Sequence, residues 1–447
     1  MKELLLFGAG KSATVLIDYL LGLAVSEKWR LILVDADYEL AKAKLGDSLH
    51  GEARSFDITQ PDKRSAAVLH ADLVISMLPP ALHRLVASSC LEHSRHLLTA
   101  SYIDESMRSM EQEISKKGIL FLCEMGLDPG IDHMSAMQLI HGIQGRGGHI
   151  SSFTSHCGGL IAPESDNNPW HYKISWNPRN IVMAGNSGAV YKRNNEIFTI
   201  PYSGLFEADN RVIVPGHGDF AWYANRDSLS YIPLYGMEET ADFLRTTLRH
   251  PDFMKGWNYV VKLGLTSEEP FTPGGLPLTY KDWMNHQART HTGESNFENF
   301  MENKVDKQFL TLVSNLFNWL GFTSKELLPT SAKNPADVLQ SVLESKLQLM
   351  PGDKDMIVML HEFSYAIGRS QHEIRSSLVV KGDDTRHTAM AKTVGLPLGI
   401  AARLLLNGTI TRRGLCIPVY PDLYQPVLGE LATLGISFVE EHRSFGL

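Results

Sequence analysis

The stretch ELLLFGAGKSAT, Glu3 to Thr14, runs an apolar segment straight into a glycine-rich turn. Two loop types begin this way. GKS resembles the end of a phosphate loop, but that motif needs a glycine five residues before Gly10. Leu5 stands there, inside the predicted strand. The dinucleotide fingerprint G-x-G-x-x-A, by contrast, is met by Gly8, Gly10 and Ala13, with Lys11 and Ser12 between them. Its glycines allow a tight turn and close approach of backbone to a pyrophosphate, whose charge the following helix N-terminus stabilises. Asp35 ends the second apolar run, RLILVD, where the fingerprint expects an acidic residue about 20 positions on. A carboxylate there accepts the ribose hydroxyls and repels a 2′-phosphate, and Asp37 adds charge of the same sign. NAD is therefore expected in preference to NADP.

Outward from this loop, short apolar runs alternate with helical stretches up to about residue 130. After ELLLF and RLILVD come ARSFDI (53–58), DLVISML (72–78), HLLTASY (96–102) and GILFLCE (118–124). The runs lack strict alternation, as expected of parallel strands buried on both faces. The fold class is α/β, a doubly wound Rossmann sheet in the order 3-2-1-4-5-6. Ligands in such sheets bind beyond the carboxyl ends of the strands. Those ends carry Gly8–Gly10, Asp35, Asp57, Leu78, Ser101 with Tyr102, and Leu127 with Asp128. The last pair lies in GLDPGIDHM (126–134), where Asp128 before Pro129 reads as a helix cap and first helical residue. Asp132 reads as a stabiliser of the same helix N-terminus.

The chain has 447 residues, 43% hydrophobic and 21% charged, which suits a soluble protein of roughly two to three domains. A net charge of −8 argues against general nucleic-acid binding. No apolar run approaches the 18 or so residues of a membrane span, and the start lacks a signal-peptide pattern. Cys90, Cys123, Cys157 and Cys416 are widely spaced, fitting a reducing cytoplasm. From Ser151 the texture turns to aromatics, Gly, Pro and Asn. Residues 1–130 are assigned to the Rossmann domain, 131–265 and 351–447 to an α+β substrate and dimerisation domain, and 266–350 to a helical insert. The C-terminal end has room to pack back on the first domain. DMIVMLHEFSYAI and HEIRSSLVVKG read as a hairpin. No metal site is expected: Cys90, His93 and His96 straddle a helix end, and His286 and His291 lack partners. Cys157 beside His156 reads as a packed small residue rather than a nucleophile.

Several motifs are more specific in combination. TASYI (99–103), GLDPGIDHM, CGGLIAPESDNNP (157–169), YKISW (172–176), NRDS (225–228), TLR (247–249) and TAMAKTVGLP (388–397) resemble the glutamate-forming saccharopine dehydrogenase family. The resemblance implies oxidation of saccharopine to glutamate and 2-aminoadipate 6-semialdehyde, or the reverse condensation, in a homodimer. It also implies Arg226, Thr247, Arg249 and Ser175 as substrate ligands, with Ser101, Tyr102 and Asp128 facing nicotinamide and substrate. Asp128 and Tyr102 are the catalytic candidates. Two rivals stay open: a related reductase of polyamine-derived imines, which would want acidic residues at 226 and 249, and a non-catalytic nucleotide-binding protein.

Overall fold

The computed structural model describes residues 1–271 and 279–445. The six expected strands are β1 (Lys2–Phe7), β2 (Trp29–Asp35), β3 (Gly51–Ser55), β4 (Leu73–Ser76), β5 (His96–Thr99) and β6 (Leu120–Leu122). They form one sheet in the expected order, every pair parallel. Leu4, Leu5 and Leu6 are all fully buried, because helices cover both faces and an unbroken apolar run satisfies both at once. The third strand starts and stops earlier than ARSFDI, leaving Asp57 in the turn beyond it.

The sheet has a seventh strand that its first 130 residues cannot supply. Gly414–Cys416 pairs in parallel with the outer edge of β6. The helix Ala389–Leu406 belongs to the same body: Gly395 and Gly399 let it approach the first helix, Thr14–Leu23, so closely that a Cβ would meet Leu16 N at 2.8 Å and Tyr19 Cδ1 at 2.6 Å. That helix is long and apolar enough to cross a membrane, which amends the expectation that no segment is. Most of it is buried within its own unit, the mark of a core helix.

Two compact units result. The first takes Met1–His149, Ile367–Arg369 and Leu378–Val439; the second takes Ile150–Ala366, Ser370–Ser377 and residues from Glu440. The expected division at 130, with 351–447 in the substrate domain, is therefore corrected: residues 378–439 complete the Rossmann body, because the edge of β6 needs a partner and the first helix needs a cover.

The second unit is built on a mixed sheet of ten strands. Its strands include β7 (Gly148–Ile161), β8 (Ala189–Arg193), β9 (Glu196–Ile200), β10 (Arg211–Val214), β11 (Gly218–Ala224), β12 (Arg226–Asp227) and β13 (Asp242–Arg249). The expected hairpin is β14 (Asp355–Ile367) and β15 (Ser370–Lys381). The central order is β10-β11-β13-β7-β14-β15, with Val439–Phe445 beyond β15. The 266–350 segment is helical where described, at Tyr280–Thr292, Phe297–Lys304, Leu310–Leu320 and Pro335–Lys346; residues 272–278 lie outside the described residues. It shares the second unit's core, where Trp170 is fully buried and donates its indole N–H to Leu316 O at 3.1 Å.

Candidate active site

The glycine loop shows why its residues are what they are. Gly8 has φ +100°, and a Cβ on it would meet Met77 O at 2.9 Å, so only glycine fits. At Gly10 a Cβ would project into open space, room that a pyrophosphate can take. Lys11 and Ser12 open a short turn that leads into helix Thr14–Leu23. Asp35 accepts the N–H of Ala9 at 2.7 Å through one oxygen and that of Asp37 at 3.0 Å through the other. The carboxylate is thus fixed against the loop where a ribose would lie, and these residues fit a bound dinucleotide. Leu78 is half-buried, its backbone N 3.5 Å from where a Gly8 Cβ would stand. Asp57 is exposed; its carboxyl lies below the usual carboxylate range because it accepts the backbone N–H of Thr59.

Beside this loop runs a chain of hydrogen bonds absent from the sequence reading. His83, buried on helix Pro80–Glu92, joins Ser76 Oγ at 2.8 Å through Nδ1 and Ser101 Oγ at 2.7 Å through Nε2. Burial pushes its imidazole down to about 4, against a smaller opposing pull from Asp104, so it stays neutral. Ser101 is thereby held from the ends of β4 and β5 together. The only sequence signal was a histidine one turn into a helix that follows a rim loop.

The GLDPGIDHM segment departs from expectation. The cap of helix Ile131–Gln144 is Gly130, not Asp128. Residues 126–130 first close on themselves: Gly126 N donates to Pro129 O at 2.9 Å and Ile131 N to Gly126 O at 2.9 Å. Gly130 has φ +148°, and a Cβ there would lie 2.1 Å from Gly126 O. The loop lifts Asp128 off the helix, half-buried, where it accepts the Tyr102 hydroxyl at 3.1 Å. Asp132 does serve the helix start, accepting Gly130 N–H at 2.6 Å. Leu127 is buried, and its carbonyl accepts from Asp132 N–H at 3.1 Å. Below the loop, buried His133 meets Glu124 Oε2 at 2.8 Å, while Glu124 Oε1 accepts the N–H of Ile103 at 3.1 Å. This network locks the Tyr102 strand end to the Asp128 loop, and no run of consecutive residues marks it.

In the second unit, Arg249 ends β13 almost fully buried, its guanidinium over the Tyr172 ring at 5.4 Å and donating to Leu248 O at 2.8 Å. Thr247 lies half-buried opposite Tyr223 and Cys157. Ser175 is buried beside Ile174, whose N–H goes to Leu347 O. Arg226 is exposed, at φ +51° in the two-residue β12. Asn225, just before it, donates to Arg245 O, four positions back from Arg249 on β13. His156 is committed to Thr246 Oγ1 at 2.6 Å and Glu362 Oε2 at 3.2 Å, so neither ring nitrogen serves Cys157. Arg245, nearly fully buried and 4.5 Å over the Tyr231 ring, was missed because a lone arginine within a strand reads as an outward-facing one.

A glycine fingerprint on a 3-2-1-4-5-6 sheet with a fixed acidic residue after β2 defines a Rossmann nicotinamide-dinucleotide protein. The family models "Saccharopine dehydrogenase NADP binding domain" and "Saccharopine dehydrogenase C-terminal domain" match residues 4–122 and 126–436, and the chain belongs to the saccharopine dehydrogenase family. It is 32% identical to the saccharopine dehydrogenase [NADP(+), L-glutamate-forming] of Schizosaccharomyces pombe, over 99% of each chain. It is 34% identical to the mitochondrial alpha-aminoadipic semialdehyde synthase of Bos taurus over 98% of its own length, spanning about half (48%) of that protein. The solved apo saccharopine dehydrogenase (L-Glu forming) from Saccharomyces cerevisiae superposes with a TM-score of 0.86 at 30% identity, covering 99% of this chain and 100% of that one.

Proposed function

We propose that this chain is an L-glutamate-forming saccharopine dehydrogenase. It oxidises the secondary amine of saccharopine to an imine, which water opens to glutamate and 2-aminoadipate 6-semialdehyde, or it runs the reverse condensation. The observation that carries the reading is the match to the S. pombe enzyme across 99% of both chains. When bound, the dinucleotide supplies the hydride acceptor. Asp128, held by Tyr102, offers a carboxylate for the cationic amine or for the water that attacks the imine. Arg249, Arg226, Thr247 and Ser175 bind substrate carboxylates and polar groups. Arginines at 226 and 249 disfavour a polyamine substrate, whose ammonium groups they would repel.

The proposal includes NAD as the preferred cofactor. The matched family description and the fungal names read NADP. Against that stands Asp35, fixed at the end of β2, with Asp37 two residues on and no cation between them to receive a 2′-phosphate. A homodimer in the cytoplasm completes the reading, supported by the resemblance and by four free cysteines. The test is a spectrophotometric assay with saccharopine and each nucleotide. Turnover that releases glutamate supports it; no nucleotide reduction with either cofactor overturns it.

A further inference from the structure

Outside the residues assigned so far, the second unit draws three ligand-type side chains to one point. His171, His250 and Asp252 place one nitrogen or oxygen each within 4.8 Å of one another. His171 Nε2 stands 3.6 Å from Asp252 Oδ2, and the two imidazole rings lie 3.7 Å apart between centroids. Two ligands of one tetrahedral zinc ion at 2.0–2.2 Å lie roughly 3.4 Å apart, so small side-chain rotations close the set.

The surroundings are those of a held ligand. His171 Nδ1 lies 2.6 Å from Asp166 Oδ2. A carboxylate taking the Nδ1 proton fixes the tautomer that leaves the Nε2 lone pair outward, the arrangement that orients histidines toward metals. The other oxygen of Asp166 is buried without a hydrogen-bond partner. His171 itself sits at φ +50°, uncommon for a residue other than glycine, in a loop braced by Asn168. His250 would give up only a 3.2 Å contact with Asp252 N–H. An Asp166–His171–Asp252 ion-pair chain would account for His171, and capping of the helix Pro251–Lys262 for one nitrogen of His250, but neither accounts for the two imidazole rings being stacked on one another.

We propose that His171, His250 and Asp252 bind a divalent transition-metal ion of the zinc class, with Asp166 orienting His171. Imidazole and carboxylate donors suit zinc, and three protein ligands leave one position open. Arg249 and Tyr172 are the immediate chain neighbours of the two histidines, so the ion sets the backbone at the corner where Arg249 is held.

The full chain, stripped with chelator and dialysed, is titrated calorimetrically with Zn²⁺. One ion per chain at micromolar affinity or tighter is expected. His171→Ala and His250→Ala should each weaken binding at least about thirtyfold, and Asp166→Asn about tenfold, as orienting carboxylates do. Asp252→Asn, which keeps the helix start polar, guards against misfolding and should weaken binding comparably. Co²⁺ should give d–d absorption bands that vanish in the histidine variants. Absence of a one-to-one site in the wild-type chain, or an affinity unchanged in both histidine variants, overturns the proposal.

Discussion

Tyr102 donates its hydroxyl to Asp128 across two separate rim loops, at 3.1 Å, while Asp132, four residues further along, is turned the other way to hold the backbone N–H of Gly130. Two aspartates that read alike in GLDPGIDHM thus have opposite work. Asp128→Asn should leave stability within about 1 kcal/mol, since the N-cap position belongs to Gly130. It should cut turnover about tenfold to a thousandfold, the range for a positioned polar group. Asp132→Ala should instead cost about 1–3 kcal/mol of stability by stranding a buried N–H. Urea melts and steady-state rates on both variants separate the roles; a fully active Asp128→Asn chain removes Asp128 from the chemistry.

Cofactor choice tests Asp35. NAD should be preferred by at least about tenfold in kcat/KM, or about 1.4 kcal/mol. Asp35→Ala combined with Ala36→Arg should move the preference toward NADP. Equal or better wild-type kinetics with NADP would show that the fungal pattern holds here despite the carboxylate.

The two arginines give an additivity test. Arg249→Ala should weaken saccharopine binding by about 2–4 kcal/mol, because a carboxylate is left desolvated and unpaired. If Arg226 grips a different carboxylate, the double substitution should equal the sum of the singles within about 0.5 kcal/mol. NAD affinity, measured by fluorescence titration, should stay constant throughout. A parallel collapse of NAD binding would make Arg249 a structural residue.

Stability should depend on acid through His83. Its folded pKa, about 4, lies below the unfolded value near 6.5 because the imidazole is buried. The unfolded chain therefore binds more protons in that window, and the contribution is fully present above about pH 6.5 and lost as pH falls toward 4. The whole span is worth about 3 kcal/mol. Urea unfolding at successive pH values should show this slope, and His83→Gln should flatten it. An unchanged slope would place the titrating group elsewhere.

What could be read from the sequence were features written in consecutive residues. Doubly buried parallel strands are apolar runs, so β1 to β6, their order and the Gly8–Gly10 loop were legible. Gly414–Cys416 was not, because three residues carry no period and their partner lies almost three hundred positions away. Asp128 was misread as a cap since an Asp-Pro pair fits a helix start locally, and only the pairing of Gly126 with Gly130 shows that a loop closes first. The His83 bridge and the His171–His250 stack depend on contacts between distant segments, and a single histidine among apolar or polar neighbours looks the same whether it is bonded or solvated.

The strand Gly414–Cys416 has a consequence for biosynthesis. Domains ordinarily fold one after another as they leave the ribosome, the N-terminal one first. Here the first body cannot finish until residues 389–416 have emerged, after every strand of the second sheet but the last, Val439–Phe445, has been made. Throughout that interval the outer edge of β6 is an unpaired template for other nascent chains, and the helix Thr14–Leu23 shows its apolar face to water. A gene fragment encoding residues 1–149 should accordingly give a protein that self-associates rather than a minimal nucleotide-binding module, and chaperone demand during translation should fall on the beginning of the chain rather than its middle.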